Sequence, residues 1–350
     1  MTPSIVIAGR PVGPGHPPYI VAELSANHNG SLERAMQIIA SAKAMGADAI
    51  KLQTYTPDSI TMDADGTEFQ IKGGLWDGYS LHELYAEAQT PFEWHKALFD
   101  KGREVGITVF STPFDERAID LLIELDAPAF KVASFEAIDL PLISRLAKTG
   151  KPLMISTGMA SLEEISEAVD TARNNGCSEL VLLHCISGYP TPVEEANLRT
   201  IPDLAERFEA VIGLSDHTIG TTAAVAAVVL GAGLIEKHYT LDRCHGGLDA
   251  AFSMEPDELQ RLCTEARNAW LSLGTAGYDI KPSEQANLKF RRSLYVAQDV
   301  AAGEEFTAEN VRSIRPGLGL PPKEIGAVLG RRASRSIKRG TPLDWSLVEA

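Results

Sequence analysis

Cysteine is scarce here, with four residues in 350, at Cys177, Cys185, Cys244 and Cys263. No CxxC pair occurs, which removes ribbon-type zinc sites and a disulfide framework and points to a reducing compartment, taken to be the cytoplasm. No apolar run approaches the roughly 18 residues of a membrane helix, so no membrane partner is expected. The N-terminus lacks a basic stretch leading into an apolar one, so no secretory signal is expected. Positive charge is also short: Lys and Arg number 32 against 47 Asp and Glu, a net charge of −15. Nucleic-acid binding rests on basic surface, so that class of partner is excluded. No GxGxxG or P-loop pattern follows any expected strand, which removes the usual nucleotide sites.

What is present is a hydrophobic fraction of 44%, enough to fill one large domain and a small one. Apolar strand patterns begin at Tyr19, Ala49, Thr108, Ala129, Leu153, Leu180, Val211 and Leu234. Helical spacing lies between them, for example Leu32, Ala35, Met36 and Ile39 after the cap at Ser31. Further caps are read at Asp115, at Ser161 with Glu164, and at Thr90-Pro91-Phe92-Glu93. About 35 residues after the second strand show no clear helix before that last start signal. Eight strand–helix units over this length predict a (β/α)8 barrel, a TIM barrel, rather than an open doubly wound sheet.

The tail differs. From residue 285 onward, 11 basic residues face 7 acidic ones, whereas the rest of the chain is strongly acidic. Its pattern becomes short strands and turns with an internal echo: Val300-x-x-Gly303-x-x-Phe306 and Val311 against Ile337-x-x-Gly340-x-x-Leu343 and Val348. The expected organisation is a barrel over 1–274, a linker over 275–289 and a small β-rich domain over 290–350.

In a barrel, chemistry sits at the carboxyl ends of the strands. Those ends carry Glu23; Lys51 and Gln53; Ser111 and Thr112; Lys131, Ser134 and Glu136; Ser156; Cys185, Ser187 and Tyr189; Ser215, Asp216 and His217; Glu236, Lys237 and His238. Lys51 and Lys131 with the hydroxyls of Thr112, Ser134, Ser156 and Ser215 suit a phosphorylated anion. His217 and His238 end neighbouring parallel strands and suit one Mn, Fe, Co or Zn ion, or else two hydrogen-bonded core imidazoles. Glu23 and Glu136 are the candidate acid and base. A strand-end lysine could instead form a Schiff base, and Lys51 and Lys131 are the candidates for such an aldolase. His28 and Lys237 each admit a structural reading, as turn former and as ion-pair partner. Trp76 in the second loop could line a site or pack its own loop.

Several stretches together resemble the sialic acid synthase family. They are Ala22-Glu23 with Asn27-His28-Asn29-Gly30, Lys51-Leu52-Gln53-Thr54, Lys131-Val132-Ala133-Ser134 with Glu136, Ser156-Thr157-Gly158-Met159, His184-Cys185 with Tyr189-Pro190, Gly213 to His217, and Glu236-Lys237-His238. Leu24-Ser25, Gln53 to Asp58, Gly74 to Gly78, and Ser187 are most similar to its pseudaminic acid branch. The resemblance implies condensation of phosphoenolpyruvate with an amino-sugar aldehyde, 2,4-diacetamido-2,4,6-trideoxy-L-altrose, with release of phosphate. N-acetylneuraminate and legionaminate synthesis by the same route are the alternatives. It further implies a divalent ion, Mn2+ first with Co2+ or Mg2+ possible. Phosphoenolpyruvate would meet Lys51, Thr112, Lys131, Ser134, Ser156, Ser187 and Ser215, and the sugar Gln53, Tyr189, Asp249 and Arg315. The tail is similar to the antifreeze-like (SAF) domain, and the likeness implies a domain-swapped homodimer. A carbohydrate- or ice-binding protein is the rival of another class, disfavoured by the eleven basic residues of the tail.

Overall fold

A computed structural model describes residues 3–349. The chain divides into two compact units, Met1–Gly274 and Thr275–Ala350.

The first unit opens with a hairpin absent from the sequence expectations, β1 (Ile5–Ile7) and β2 (Arg10–Val12). Eight parallel strands follow: β3 (Tyr19–Glu23), β4 (Ala49–Thr54), β5 (Thr108–Pro113), β6 (Phe130–Val132), β7 (Leu153–Ser156), β8 (Leu180–Cys185), β9 (Val211–Ser215) and β10 (Leu234–His238). They form a closed barrel in sequence order, with β10 pairing back onto β3. Side chains alternate across each strand, which sorts the apolar residues into two layers. Tyr19, Val21, Ala49, Phe110, Met154, Val181 and Leu234 fill the barrel interior, joined by Ile5, Ile7 and Val12 of the hairpin. Ile20, Ala22, Ile50, Leu52, Ile155 and Ile235 form the other layer, packed against the surrounding helices. The apolar interior stops one alternation short of the strand ends, where Glu23, Lys51, Thr112, Lys131, Ser156, Ser215 and Glu236 continue the inward-facing positions. Depth along the barrel therefore separates packing from chemistry.

The capping signals fare unevenly. Ser31, Asp115 and Ser161 accept hydrogen bonds from Arg34 N, Ala118 N and Glu164 N at 3.2, 2.7 and 3.2 Å. The expected box at Thr90 does not form. Its hydroxyl is buried without a partner, Pro91 precedes a single 3-10 turn, and the α-helix runs from His95 to Val105. A box in the stretch expected to be without a helix does form: Ser80 and Glu83 cap a helix at Leu81–Ala88. The final helix of the unit spans Pro256–Leu273.

In the second unit, the expected linker 275–289 is not bare chain, since Pro282–Phe290 winds in successive 3-10 turns. β11 (Ser293–Val296) pairs antiparallel with β12 (Val311–Ile314). The echo is structural. Val300 and Ile337 exchange both backbone hydrogen bonds, at 2.9 and 2.8 Å. Gly303 N donates to Ala333 O and Gly340 N to Val296 O, equivalent bonds in the two halves, each 2.8 Å. Both glycines turn the chain at positive φ, +78° and +85°, which a side chain would oppose. Phe306, Val311, Leu343 and Val348 meet in one small core.

Candidate active site at the barrel mouth

Strand register builds the centre of the mouth. Glu23 on β3 stands beside Lys51 on β4 and His238 on β10. Its Oε2 lies 2.7 Å from Lys51 Nζ, and its Oε1 accepts from Gln53 Nε2 at 3.0 Å. Lys51 also approaches Thr112 Oγ1 at 3.3 Å. Across the barrel, Lys131 on β6 reaches Glu236 on the opposite strand, β10, with Nζ 2.6 Å from Oε1. Lys51 Nζ lies 3.6 Å from the same oxygen, and Ser215 Oγ donates to it at 3.2 Å. Both lysines and both glutamates are essentially excluded from solvent, none above 4% exposed. Burial raises the Glu23 carboxyl above its ordinary range, with Glu236 adding to the rise and Lys51 opposing it. Burial and the neighbouring Lys51 lower the Lys131 ammonium against the pull of Glu236.

The serines gather around the ends of β6, β7 and β8. A Cβ placed on Gly158 would collide with Ser187 Oγ and come within 2.8 Å of Ser134 Oγ, so this glycine leaves room that those hydroxyls face. Ser156 Oγ and Ser187 Oγ are buried without hydrogen-bond partners. Glu136, in the 3-10 turn after β6, has one carboxyl oxygen in the same condition, and burial pushes its pKa up to about 7, with Asp139 adding to the rise. Buried polar atoms left unpaired in one place are costly unless a ligand completes them.

His217 and His238 stand with ring centroids 5.5 Å apart. His217 Nδ1 lies 2.9 Å from Ile186 O, which fixes that nitrogen as a donor and leaves Nε2 its lone pair. Nδ1 of His238 is buried and unpartnered, and burial holds this imidazole neutral, well below its usual titration range, with the neighbouring His217 acting in the same direction. Two imidazoles so disposed, one with Nδ1 committed to a backbone carbonyl and the other with a buried Nδ1 free of hydrogen bonds, fit a divalent cation. Among the described residues no third His, Cys, Asp or Glu joins them in a cluster, so further ligands would be oxygen atoms of substrate or water.

Beside the histidines is an aromatic wall. Tyr189 packs on His217 at 4.4 Å, and Phe252 packs on His238 at 4.8 Å and on Tyr189 at 5.3 Å. Trp76 comes in from the second loop, 5.7 Å from Tyr189, its indole N–H bonded to Leu248 O at 3.0 Å. Asp249, immediately before the Phe252 turn, accepts from Ser25 Oγ at 2.6 Å, and Gln53 Nε2 donates to Ser25 Oγ at 3.0 Å. Ser25 holds a left-handed φ of +44°, a strained backbone for a serine that these bonds keep in place.

The structure thus brings together Glu23, Lys51, Gln53, Thr112, Lys131, Ser134, Glu136, Ser156, Ser187, Tyr189, Ser215, His217, His238 and Asp249 at one mouth. Arg315 is exposed in the second unit, after β12. Two ambiguous residues resolve toward structure. Lys237 faces away from the interior and pairs with Asp216 at 2.8 Å. Both ring nitrogens of His28 are occupied, by Ala88 O and Gly30 N. Two mouth residues were assigned no role from sequence: Glu236, whose partners come from across the barrel, and Phe252, which follows an irregular loop.

A family model matches this architecture. The NeuB family model covers residues 38–278, and the SAF domain model covers 291–349. The chain belongs to the NeuB family. Among its relatives, the pseudaminic acid synthase of Campylobacter jejuni (serotype O:2) is 46% identical over 93% of this chain and 95% of its own. The N,N'-diacetyllegionaminic acid synthase of Legionella pneumophila is 36% identical, with 97% of each covered. Of solved structures, the N-acetylneuraminic acid synthetase of Leptospira borgpetersenii, in complex with citrate, superposes with a TM-score of 0.74. It is 32% identical and covers 83% of this chain and 97% of its own. This NeuB-family chain thus pairs the barrel with an SAF domain, as its sequence led us to expect.

Proposed function

We propose that this chain is a pseudaminic acid synthase. It would join C3 of phosphoenolpyruvate to the aldehyde carbon of 2,4-diacetamido-2,4,6-trideoxy-L-altrose, add water at C2, and release phosphate by C–O cleavage. The observation that carries the reading is the set of unpaired buried atoms on Ser156, Ser187, Glu136 and His238, at a mouth that also holds two buried lysines. Those groups match an anion with phosphate and carboxylate ends next to a carbonyl compound.

Lys51 and Lys131, with Thr112, Ser134, Ser156, Ser187 and Ser215, hold phosphoenolpyruvate and fix its C3 toward the acceptor. Gln53, Tyr189 and Asp249 hold the open-chain sugar. His217 and His238 would hold a divalent cation, Mn2+ in the first place, which would supply Lewis-acid polarisation of the aldehyde oxygen. Glu136, titrating near neutrality, moves the proton at the new hydroxyl. Glu23 orients the water that adds to C2. Trp76, Tyr189 and Phe252 give the acceptor an apolar surface suited to a 6-deoxy sugar's methyl edge. That surface favours the trideoxy acceptors over one carrying a 6-hydroxyl. The 46% identity to a pseudaminic against 36% to a legionaminic acid synthase supports the altro configuration.

We place the working form as a homodimer in the cytoplasm. The loops after β6, β7, β8 and β9 expose Phe135, Met159, Val193 and Ile219, an apolar rim that favours a covering partner. The four cysteines are free, and no helix among the described residues is long and apolar enough to cross a membrane.

One observation favours a Schiff-base aldolase, the lowered Lys131 ammonium. Its 2.6 Å pairing with Glu236 argues against a free amine. Phosphate release measured with phosphoenolpyruvate and the altro, manno-trideoxy and N-acetylmannosamine acceptors tests the proposal. The altro sugar should be turned over fastest, and release without any acceptor preference, or with pyruvate and borohydride inactivation in its place, would overturn it.

A further inference from the structure

The donors assigned to phosphoenolpyruvate are not idle in this structure. Three of them, Lys131 Nζ at 2.6 Å, Ser215 Oγ at 3.2 Å and Lys51 Nζ at 3.6 Å, converge on a single oxygen, Oε1 of Glu236. They come from β6, β9 and β4, so no local sequence feature collects them; the oxygen does. The second oxygen of Glu236 is buried with no partner. Lys51 is meanwhile also held by Glu23 at 2.7 Å. Two ammoniums therefore face two carboxylates, and an incoming phosphate and carboxylate would meet a cluster whose positive charge is already answered. Glu23 is tied further by Gln53, whereas every protein donor to Glu236 is also a donor to the anion.

We infer that Glu236 is an internal counter-anion, a positioning residue that holds Lys51, Lys131 and Ser215 in place and gives them up when phosphoenolpyruvate binds. This rests on the reading of the mouth as a phosphoenolpyruvate site. The carboxylate keeps two buried lysines ordered in the empty enzyme, where alone they would repel each other. It also competes with the substrate, so it sets affinity for the anion as well as alignment.

The test is calorimetric titration of the full chain with inorganic phosphate and with phosphoenolpyruvate, without acceptor, for the parent and Glu236→Gln. Glutamine keeps the size and one acceptor oxygen but removes the charge. The variant should bind both anions about tenfold more tightly or better, with a lower KM for phosphoenolpyruvate and a lower kcat. A purely structural role would leave anion affinity equal or weaker, and that result in a variant of parental circular dichroism overturns the inference. Should the variant fail to fold, a crystal structure of the parent with phosphoenolpyruvate decides. The Lys131–Glu236 contact should open, and its persistence at hydrogen-bond distance with the anion bound overturns the inference. A parent that binds neither anion refutes the proposed function itself, a different outcome from one that binds both and is weakened by Glu236→Gln.

Discussion

Replacing Glu136 with glutamine should slow the enzyme and stabilise it at high pH. Burial displaces this carboxyl from its ordinary value near 4.5 to about 7. That displacement corresponds to about 3 kcal/mol favouring the neutral form, at 1.36 kcal/mol per decade. The folded-state value is raised, so the stabilisation is fully present below about pH 4.5, shrinks as pH rises toward 7, and is lost above it. Glutamine cannot ionise and escapes that loss. Thermal unfolding of parent and Glu136→Gln should give similar midpoints at pH 4.5. By pH 8.5 the variant should melt higher by roughly 5 °C or more, taking about 2–4 °C per kcal/mol for a domain of this size. In kinetics, kcat/KM should fall by roughly 10²–10⁴, the usual reach of one general acid–base group. The parent's pH limb near 7 should vanish with it. Equal melting differences at both pH values, or a variant that keeps its rate, would refute the reasoning.

Asp216→Asn should cost about 3–5 kcal/mol in stability by stranding Lys237 in a site where both side chains are only 2% exposed. Denaturant unfolding checks it, with metal affinity read alongside to separate folding from the neighbouring His217. Trp76→Ala should raise KM for the trideoxy acceptor several-fold to about tenfold, from the loss of aromatic packing, and leave KM for phosphoenolpyruvate unchanged. Steady-state kinetics with each substrate varied decides between that and a role in loop packing alone. His217→Ala and His238→Ala should each lower Mn2+ affinity in direct binding measurements and abolish metal-dependent turnover; parental binding in both would remove the imidazole pair as the cation site.

The eight strands were legible because each carries its own apolar run, and the mouth because period-two alternation ends every run in polar groups. Partners are another matter. The Glu236 carboxylate meets Lys131 only because the barrel closes β10 against β3 and sets β6 opposite, a relation between residues 105 positions apart. Lys237 differs from Glu236 by one position and points the other way, so its ion pair with Asp216 follows from register rather than composition. Local signals also misled. Thr90-Pro91 reads as a helix start, yet His95 bonds both Thr54 Oγ1 and Pro91 O, and the helix begins there instead. The equally plain box at Ser80 and Glu83 sits in a loop rich in glycine and aspartate that obscured it.

The most direct measurement uses phosphoenolpyruvate labelled with 18O at the bridging oxygen between C2 and phosphorus. Turnover with 2,4-diacetamido-2,4,6-trideoxy-L-altrose should deliver the label into inorganic phosphate, because water replaces that oxygen at C2. Phosphate released without the label, or a keto acid formed with no phosphate at all, would contradict the account.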